Sequence, residues 1–318
     1  MTWLVEQGIG EQRAVLLEKG RIVAARLSWP GRMAAGEVAE ATVIERIPGS
    51  TTALVRFANG EEGFARSLPR SASQGTSVRV EIEREAIAER GRLKRCQARL
   101  SDKPLLPAPD LAQCLRAEGQ VASLVRRFPA ETDWEELFAE AWSGEVTFPG
   151  GALLLADTPA MTLIDVDGDA AGAIPPLAAA LRRFDVGGNI GIDLPTLTDK
   201  GDRRAIDARL GEALADWPHE RTAMNGFGFI QIVARLKRPS LLQRIGRDRT
   251  GAAARLLLRR AEQVSAPGAL LLTAHPAVTA KLSPDWIEEL ARRSGRGVRL
   301  ASDPGLALEG GFAQAEAL

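Results

Sequence analysis

Three aspartates stand where two short apolar runs reach their polar ends. Asp165 and Asp167 close the run Ala160-Met161-Thr162-Leu163-Ile164, and Asp193 closes Gly188-Asn189-Ile190-Gly191-Ile192. Carboxylates brought together repel each other, and a hard divalent cation, Mg²⁺ or Mn²⁺, offsets that repulsion through oxygen ligands. Such a centre suits metal-assisted hydrolysis of a phosphodiester. Aspartates at strand ends also act as turn formers and helix caps, and spacing alone leaves both readings open.

The carboxylates meet only if the chain around them folds in one way. Both runs are short, apolar and bounded by turn residues, as buried strands are. Between them, Ile174–Phe184 carries prolines at 175 and 176 and reads as a compact helix. A strand–helix–strand unit of this size crosses over right-handed and pairs its strands in parallel. Asp165 and Asp193 are then expected side by side, at the sheet edge where α/β proteins place their sites. Asp167, two residues on, shares the strand face of Asp165.

The bulk properties set bounds on the rest. A chain of 318 residues is long enough for two or three domains. With 45% apolar and 26% charged residues, its composition is that of an ordinary globular protein. Lys plus Arg equals Asp plus Glu at 41 each, so no global basicity announces a nucleic-acid partner. Two cysteines, Cys96 and Cys114, exclude a disulfide framework and fit a reducing compartment. Two histidines, His219 and His275, give little material for a zinc site or a Ser-His-Asp set. No run approaches 18 apolar residues, and the N-terminus has no basic and apolar leader, so a cytoplasmic protein without a membrane segment is expected.

Charge is nonetheless unevenly spread. Arg235, Lys237, Arg238, Arg244, Arg247, Arg249, Arg255, Arg259 and Arg260 are interrupted by one acid, Asp248. A second cluster comprises Arg90, Arg92, Lys94, Arg95 and Arg99. Such runs form either solvated helix faces or tracks for a phosphate backbone.

Along the chain, residues 1–35 read as paired strands, 13–17 and 21–25 flanking a Glu18-Lys19-Gly20 turn. Residues 36–100 hold several short strands, with a hairpin signal at Asn59-Gly60 and strict alternation over Ser77–Arg84. That pattern suits a small barrel of OB type, whose face binds single-stranded nucleic acid. Three prolines in 101–109 read as a linker. Helices are expected at about 110–128 and 131–141, and an amphipathic one at 202–214 with Ile206, Leu210 and Leu214 on one side. The remainder alternates helix (252–264), strand (269–274), helix (284–293) and strand (297–301), with Ser283-Pro284 as cap and first-turn pair.

From Val146 to Leu241 the chain resembles the catalytic core of the ribonuclease E/G family of bacterial endoribonucleases. The matching pieces, in order, are Phe148-Pro149-Gly150-Gly151, Leu163-Ile164-Asp165-Val166-Asp167, Arg183-Phe184-Asp185-Val186-Gly187-Gly188, Ile190-Gly191-Ile192-Asp193, Asp202-Arg203-Arg204-Ala205, Gly226-Phe227-Gly228 and Arg238-Pro239-Ser240-Leu241. The resemblance implies an α/β, multidomain α+β protein. An S1-like OB barrel (36–100) is inserted after an N-terminal strand pair (1–35), and a linker with helices (101–144) follows. Then come an α/β metal-dependent nuclease core (145–247) and a small α/β C-terminal domain (248–318). It implies a Mg²⁺-dependent endonuclease of single-stranded RNA, with Mn²⁺ as a substitute, whose metal is held by Asp165 and Asp193. Asp167 stands where the family has an asparagine that orients the first aspartate. Phe64 matches an RNA-stacking aromatic of the S1 barrel. Leu54 replaces another, for which Phe57 is a substitute or a core residue. Arg90, Arg92, Lys94, Arg235, Lys237 and Arg238 are the expected phosphate contacts.

Two departures alter the expected biology. Residues 101–130 are too short for the family's 5′-monophosphate sensor, and Arg116, Arg126 and Arg127 read there as a solvated helix face. Residues 241–248 run through the place of the family's Cys-Pro-x-Cys zinc link without a cysteine. No zinc is therefore expected, and the protein is a monomer or a homodimer without that link. A family member that has lost catalysis and serves as an RNA-binding or ribosome-maturation protein is the rival reading.

Overall fold

The computed structural model describes residues 1–317. Three strands open the chain: β1 (Trp3–Gly8), β2 (Glu11–Glu18) and β3 (Arg21–Ser28). The next seven are β4 (Val38–Arg46), β5 (Ala53–Phe57), β6 (Glu62–Arg66), β7 (Ser77–Arg84), β8 (Ile87–Glu89), β9 (Arg92–Lys94) and β10 (Cys96–Leu100). Five of these close a barrel in the order β10-β6-β5-β4-β7, while β8 and β9 form a separate hairpin. The barrel is OB-like, as the spacing of short strands predicts. Its interior is built from one parity of each strand, for example Ala53, Val55 and Phe57, against outward Leu54 and Arg56.

Residues 101–110 run without regular structure apart from one bridge between Val38 and Leu106. Helix α1 (Leu111–Ala117) follows, closed at its start by a capping box between Asp110 and Gln113. The helix expected over 110–128 is thus shorter. Its second half is instead β11 (Ala122–Val125), which pairs in parallel with β1 and gives the first sheet the order β11-β1-β2-β3. Helix α2 (Trp134–Ser143) ends on Gly144 at φ 74°.

A six-stranded sheet comes next. Its strands and helices are β12 (Glu145–Phe148), β13 (Gly151–Asp157), β14 (Thr162–Gly168), α3 (Ile174–Arg183), β15 (Gly188–Asp193), α4 (Lys200–Ala213), β16 (His219–Arg221) and β17 (Phe229–Ala234), ordered β12-β13-β14-β15-β17-β16. The expected strand–helix–strand unit is β14-α3-β15, and its strands are parallel. α3 ends through Phe184 on Asp185 at φ 51°, a left-handed position aspartate tolerates, and Val186 donates back to Leu181 O. One face of the sheet, with Ile164, Val166, Ile190, Ile192, Ile230 and Ile232, is buried in the largest core, where α2, α3 and α4 also contribute. The other face is open, and Leu154 and Val233 stand on it 43% and 46% exposed.

Helices α5 (Leu241–Arg247) and α6 (Arg249–Gln263) lead into a small C-terminal unit. It contains β18 (Ala269–Ala274), a short α7 (Pro276–Thr279), α8 (Pro284–Ser294), β19 (Val298–Ser302) and β20 (Phe312–Glu316), with sheet order β19-β18-β20. Ser283 caps α8 as expected, whereas β20 goes unread in the sequence. Leu318 of the expected C-terminal domain lies outside the described residues. Ile9, from the β1–β2 turn, packs into the core of this unit, so the first and last parts of the chain meet.

No helix among the described residues is long and apolar enough to cross a membrane.

Candidate functional site

Asp165 and Asp193 are direct register partners across the parallel β14–β15 pair. Adjacent strands lie about 4.8 Å apart, so two like charges stand directly opposite on one face, an arrangement that destabilises a sheet. Both carboxylates are exposed, and neither takes part in a hydrogen bond or ion pair with another described residue. Asp193 ends β15, while β14 continues through Val166 to Asp167 and Gly168, paired there with β13 alone. Asp167 is exposed on the same face as Asp165, with buried Val166 between them.

Glycines shape the ground around the three acids. A Cβ on Gly151 would lie 1.9 Å from Asp167 O, and Gly168, its partner, sits at φ 99°. The Phe148-Pro149-Gly150-Gly151 turn can close beside Asp167 only with glycine at these positions. On β15 a Cβ at Gly191 would meet the Phe229 ring at 2.6 Å and Met161 Sδ at 2.7 Å. Phe229 and Met161 therefore lie across the strand just ahead of Asp193, and Phe229 is also the register partner of Asp193. The following turn presents Phe227, 82% exposed. Asn225 holds that turn, its Oδ1 accepting from the N–H groups of Phe227 at 2.8 Å and Phe229 at 3.0 Å. Of the two phenylalanines beside Asp193, Phe227 is named from sequence only within the Gly226-Phe227-Gly228 match, and Phe229 is not named. Their signal was the Gly-Phe-Gly turn opening a strand that must neighbour the aspartates.

The donor set, carboxylate oxygen alone, suits a hard cation. Mg²⁺ is commonly bound through one or two carboxylates and completed by water and substrate phosphate. Among the described residues no group of three or more His, Cys, Asp or Glu side chains could hold a metal by protein ligands alone.

The expected RNA contacts are scattered. Phe64 is half-buried on the outer face of the barrel, in register with Leu54 on one side and Gln97 on the other. Phe57 is 3% exposed inside the barrel against Gly63, so its expected stacking role gives way to a core one. Arg90 is exposed on the β8–β9 turn. Arg92 and Lys94 both engage Glu89, and Arg92 also donates to Pro159 O at 2.9 Å.

The basic stretch 235–260 does not form a track beside the acids. β17 runs antiparallel to β15, so its start lies beside Asp193 and its end beside Gly188. Five residues of strand, about 17 Å, thus separate the row of Asp193 from the end of β17 that leads into Arg235. Arg235 is exposed there. Lys237 and Arg238 donate to Glu118 at 2.8 and 3.0 Å, and Arg26 joins them at 2.6 Å. Burial works to raise the Glu118 carboxyl, but Lys237, Arg26 and Arg238 overcome it and hold it at about 2. Arg244 pairs with Glu85, Arg247 with Asp157, and Arg260 with Glu135. Arg255 stacks between Trp29 and Trp286. Most of these cations join units of the fold.

Arg126 and Arg127 follow β11 rather than lying on a helix, and they line a cleft beside α6. Neither the family models nor the curated proteins compared with this chain match it.

Proposed function

We propose that this chain is a Mg²⁺-dependent endoribonuclease acting on single-stranded RNA, a shortened relative of the ribonuclease E/G enzymes. The observation that carries the reading is the Asp165–Asp193 pair: in register, exposed, unpartnered, and on an open sheet face. The ordered motifs from Phe148 to Leu241 supply the rest. On this reading the six-stranded sheet is the nuclease core and the OB-like barrel is its S1-type RNA-binding unit. Asp165 and Asp193 would hold Mg²⁺ or Mn²⁺, which when bound supplies Lewis-acid polarisation of the scissile phosphate and a more acidic water. Phe64 would stack on an unpaired base, while Arg90 and the outward edge of the β8–β9 hairpin contact the backbone. Phe227 and Phe229 border the acids, where a base flanking the scissile phosphate would rest.

The rival is a catalytically impaired RNA-binding or ribosome-maturation protein of the same family. Asp167 in place of asparagine favours it, since a third carboxylate at the pair can harm turnover.

One experiment separates the two: purified protein with single-stranded RNA, in Mg²⁺ and in EDTA. Cleavage in Mg²⁺ alone is expected. Asp165→Asn and Asp193→Asn should each lower it at least about 100-fold, with RNA affinity within about twofold of wild type. Cleavage at the wild-type rate in both variants overturns the assignment, and RNA binding without cleavage by the wild type gives the rival reading its case.

A further inference from the structure

We propose that the cleft between the N-terminal sheet and the C-terminal unit binds a phosphate group. The cleft holds about 550 Å³ and is bordered by the end of β1, the segment after β11, and the C-terminal ends of α6 and α8. No residue of β12 to β17 lines it, so the site is separate from the aspartate pair and does not depend on the nuclease reading.

Arg259, on the last turns of α6, carries the inference. It is 7% exposed, and its Nε is buried without a partner. Its terminal nitrogens form no hydrogen bond or ion pair with another described residue. A buried guanidinium in this state is costly unless an anion reaches it. Its burial and the charge of Arg13 push it below the ordinary arginine range, against the attraction of Glu6, Glu11 and Glu135, none of which bonds to it.

Arg259 bonds to no acid that lines the cleft. The two acids lining it are engaged: Glu6 Oε1 accepts from Arg13 at 2.9 Å, and Glu262 accepts from Arg293 at 3.0 Å. Glu6 Oε2 remains without a partner, yet it makes no bond to Arg259. Five arginines against these two glutamates leave an excess of three positive charges.

The arginines also have different tasks. Arg127 and Arg296 donate to carbonyls at and beyond the end of α6, those of Glu262, Val264 and Ala266, which caps the helix and fixes both guanidinium groups. Arg126 is exposed at the rim and has no partner among the described residues. Arg259 at the floor and Arg126 at the rim thus offer unused donor forks from two elements. A tetrahedral dianion suits this better than a carboxylate, because it presents oxygens to several guanidinium groups at once and neutralises more of the excess. The space admits a phosphate that carries an organic body. The group could belong to a free phosphate compound or to a nucleic-acid backbone.

Calorimetric titration of the full chain with inorganic pyrophosphate, without Mg²⁺ and at an ionic strength fixed with NaCl, tests the site. Saturable binding is expected, weakened at least tenfold in Arg259→Leu. Because that substitution alters a buried position, Arg126→Ser is the second variant; it should weaken binding at least threefold with an unchanged unfolding midpoint. Arg299→Ser, on β19 and outside the cleft, should bind as wild type does. Displacement of pyrophosphate by a 5′-hydroxyl single-stranded RNA oligomer identifies a backbone phosphate as the occupant, and lack of displacement identifies a free phosphate compound. Absence of saturable binding, or equal affinity in wild type, Arg259→Leu and Arg126→Ser, overturns the proposal.

Discussion

Asp167 differs from its neighbours in what its charge can do. Two residues along a strand from Asp165, it sits about 7 Å from a cation held there, where one unit charge contributes about 1.2 kcal/mol to binding a divalent ion in water, roughly eightfold in affinity. Asp167→Asn is therefore expected to raise the Mg²⁺ concentration for half-maximal cleavage about five- to tenfold at low salt, with the rate at saturating Mg²⁺ retained. An Mg²⁺ titration of cleavage reads this directly, and an unchanged requirement would show that the charge is not felt at the pair. Cys96 shows the opposite environment. Burial pushes its thiol up to about 12. A Cβ on Gly63 would lie 2.3 Å from its Sγ, so nothing larger than glycine fits across from it. At pH 8 it should resist alkylation in the folded protein and react on unfolding. Rapid labelling of Cys96 in the native state would contradict the packing described.

At the scale of elements, the barrel separates two phenylalanines that sequence alone had offered for one role. Phe57→Ala empties a core position and should cost about 3–4 kcal/mol of stability. Phe64→Ala, on the outer face, should cost less than about 1 kcal/mol yet weaken single-stranded RNA binding by about 1–3 kcal/mol. Urea unfolding and an RNA-binding isotherm on the two variants measure both quantities, and a reversed pattern would mean that Phe64 supports the fold instead. Glu118 joins α1, β3 and the segment after β17 through Arg26, Lys237 and Arg238. Its carboxyl lies at about 2 in the folded chain against 4.5 as the ordinary value. The folded state thus binds the proton less readily. The contribution of Glu118 to stability is complete above about pH 4.5 and is lost as pH falls toward 2. Glu118→Gln leaves the nine-tenths-buried Arg238 with only Asp185, at 3.9 Å. A loss of about 2–3 kcal/mol at pH 7 is expected, with a shallower acid decline between pH 4.5 and 2. Unfolding midpoints across that range provide the check.

For the whole molecule, ion pairs join the parts. The segment 241–248, where a cysteine zinc link would fall, is α5 leading into α6, capped by Ser240 and Gln243 and tied down by Arg244 and Arg247. Purified protein is expected to carry no stoichiometric zinc. EDTA should abolish cleavage while leaving the unfolding midpoint unchanged, because the proposed cation serves the reaction and not the fold. Elemental analysis showing one zinc per chain, or unfolding induced by the chelator, would refute this.

Local patterns in the chain carried a good deal of this. The alternation of Ser77–Arg84, the glycine turn at 60, the cap Ser283-Pro284 and the apolar runs around 164 and 190 are short-range signals, because period and turn chemistry act within a few residues. The β14-α3-β15 unit was legible for the same reason, since its two strands are joined by a single helix. The parity of Phe57 with Val55 and Ala53, opposite Arg56, also held its inward direction in plain view. Other features depend on partners distant along the chain. Ala122–Val125 becomes a strand by pairing with β1, whose residues lie more than a hundred positions earlier. The basic residues from 235 to 260 look like one track in one dimension. In three dimensions the antiparallel course of β17 carries them away from Asp193, and Lys237, Arg238, Arg244, Arg247 and Arg260 pair with acids from four other segments. Arg259 is buried without a bond to any acid, and a charge run cannot tell which of its members folding will leave so.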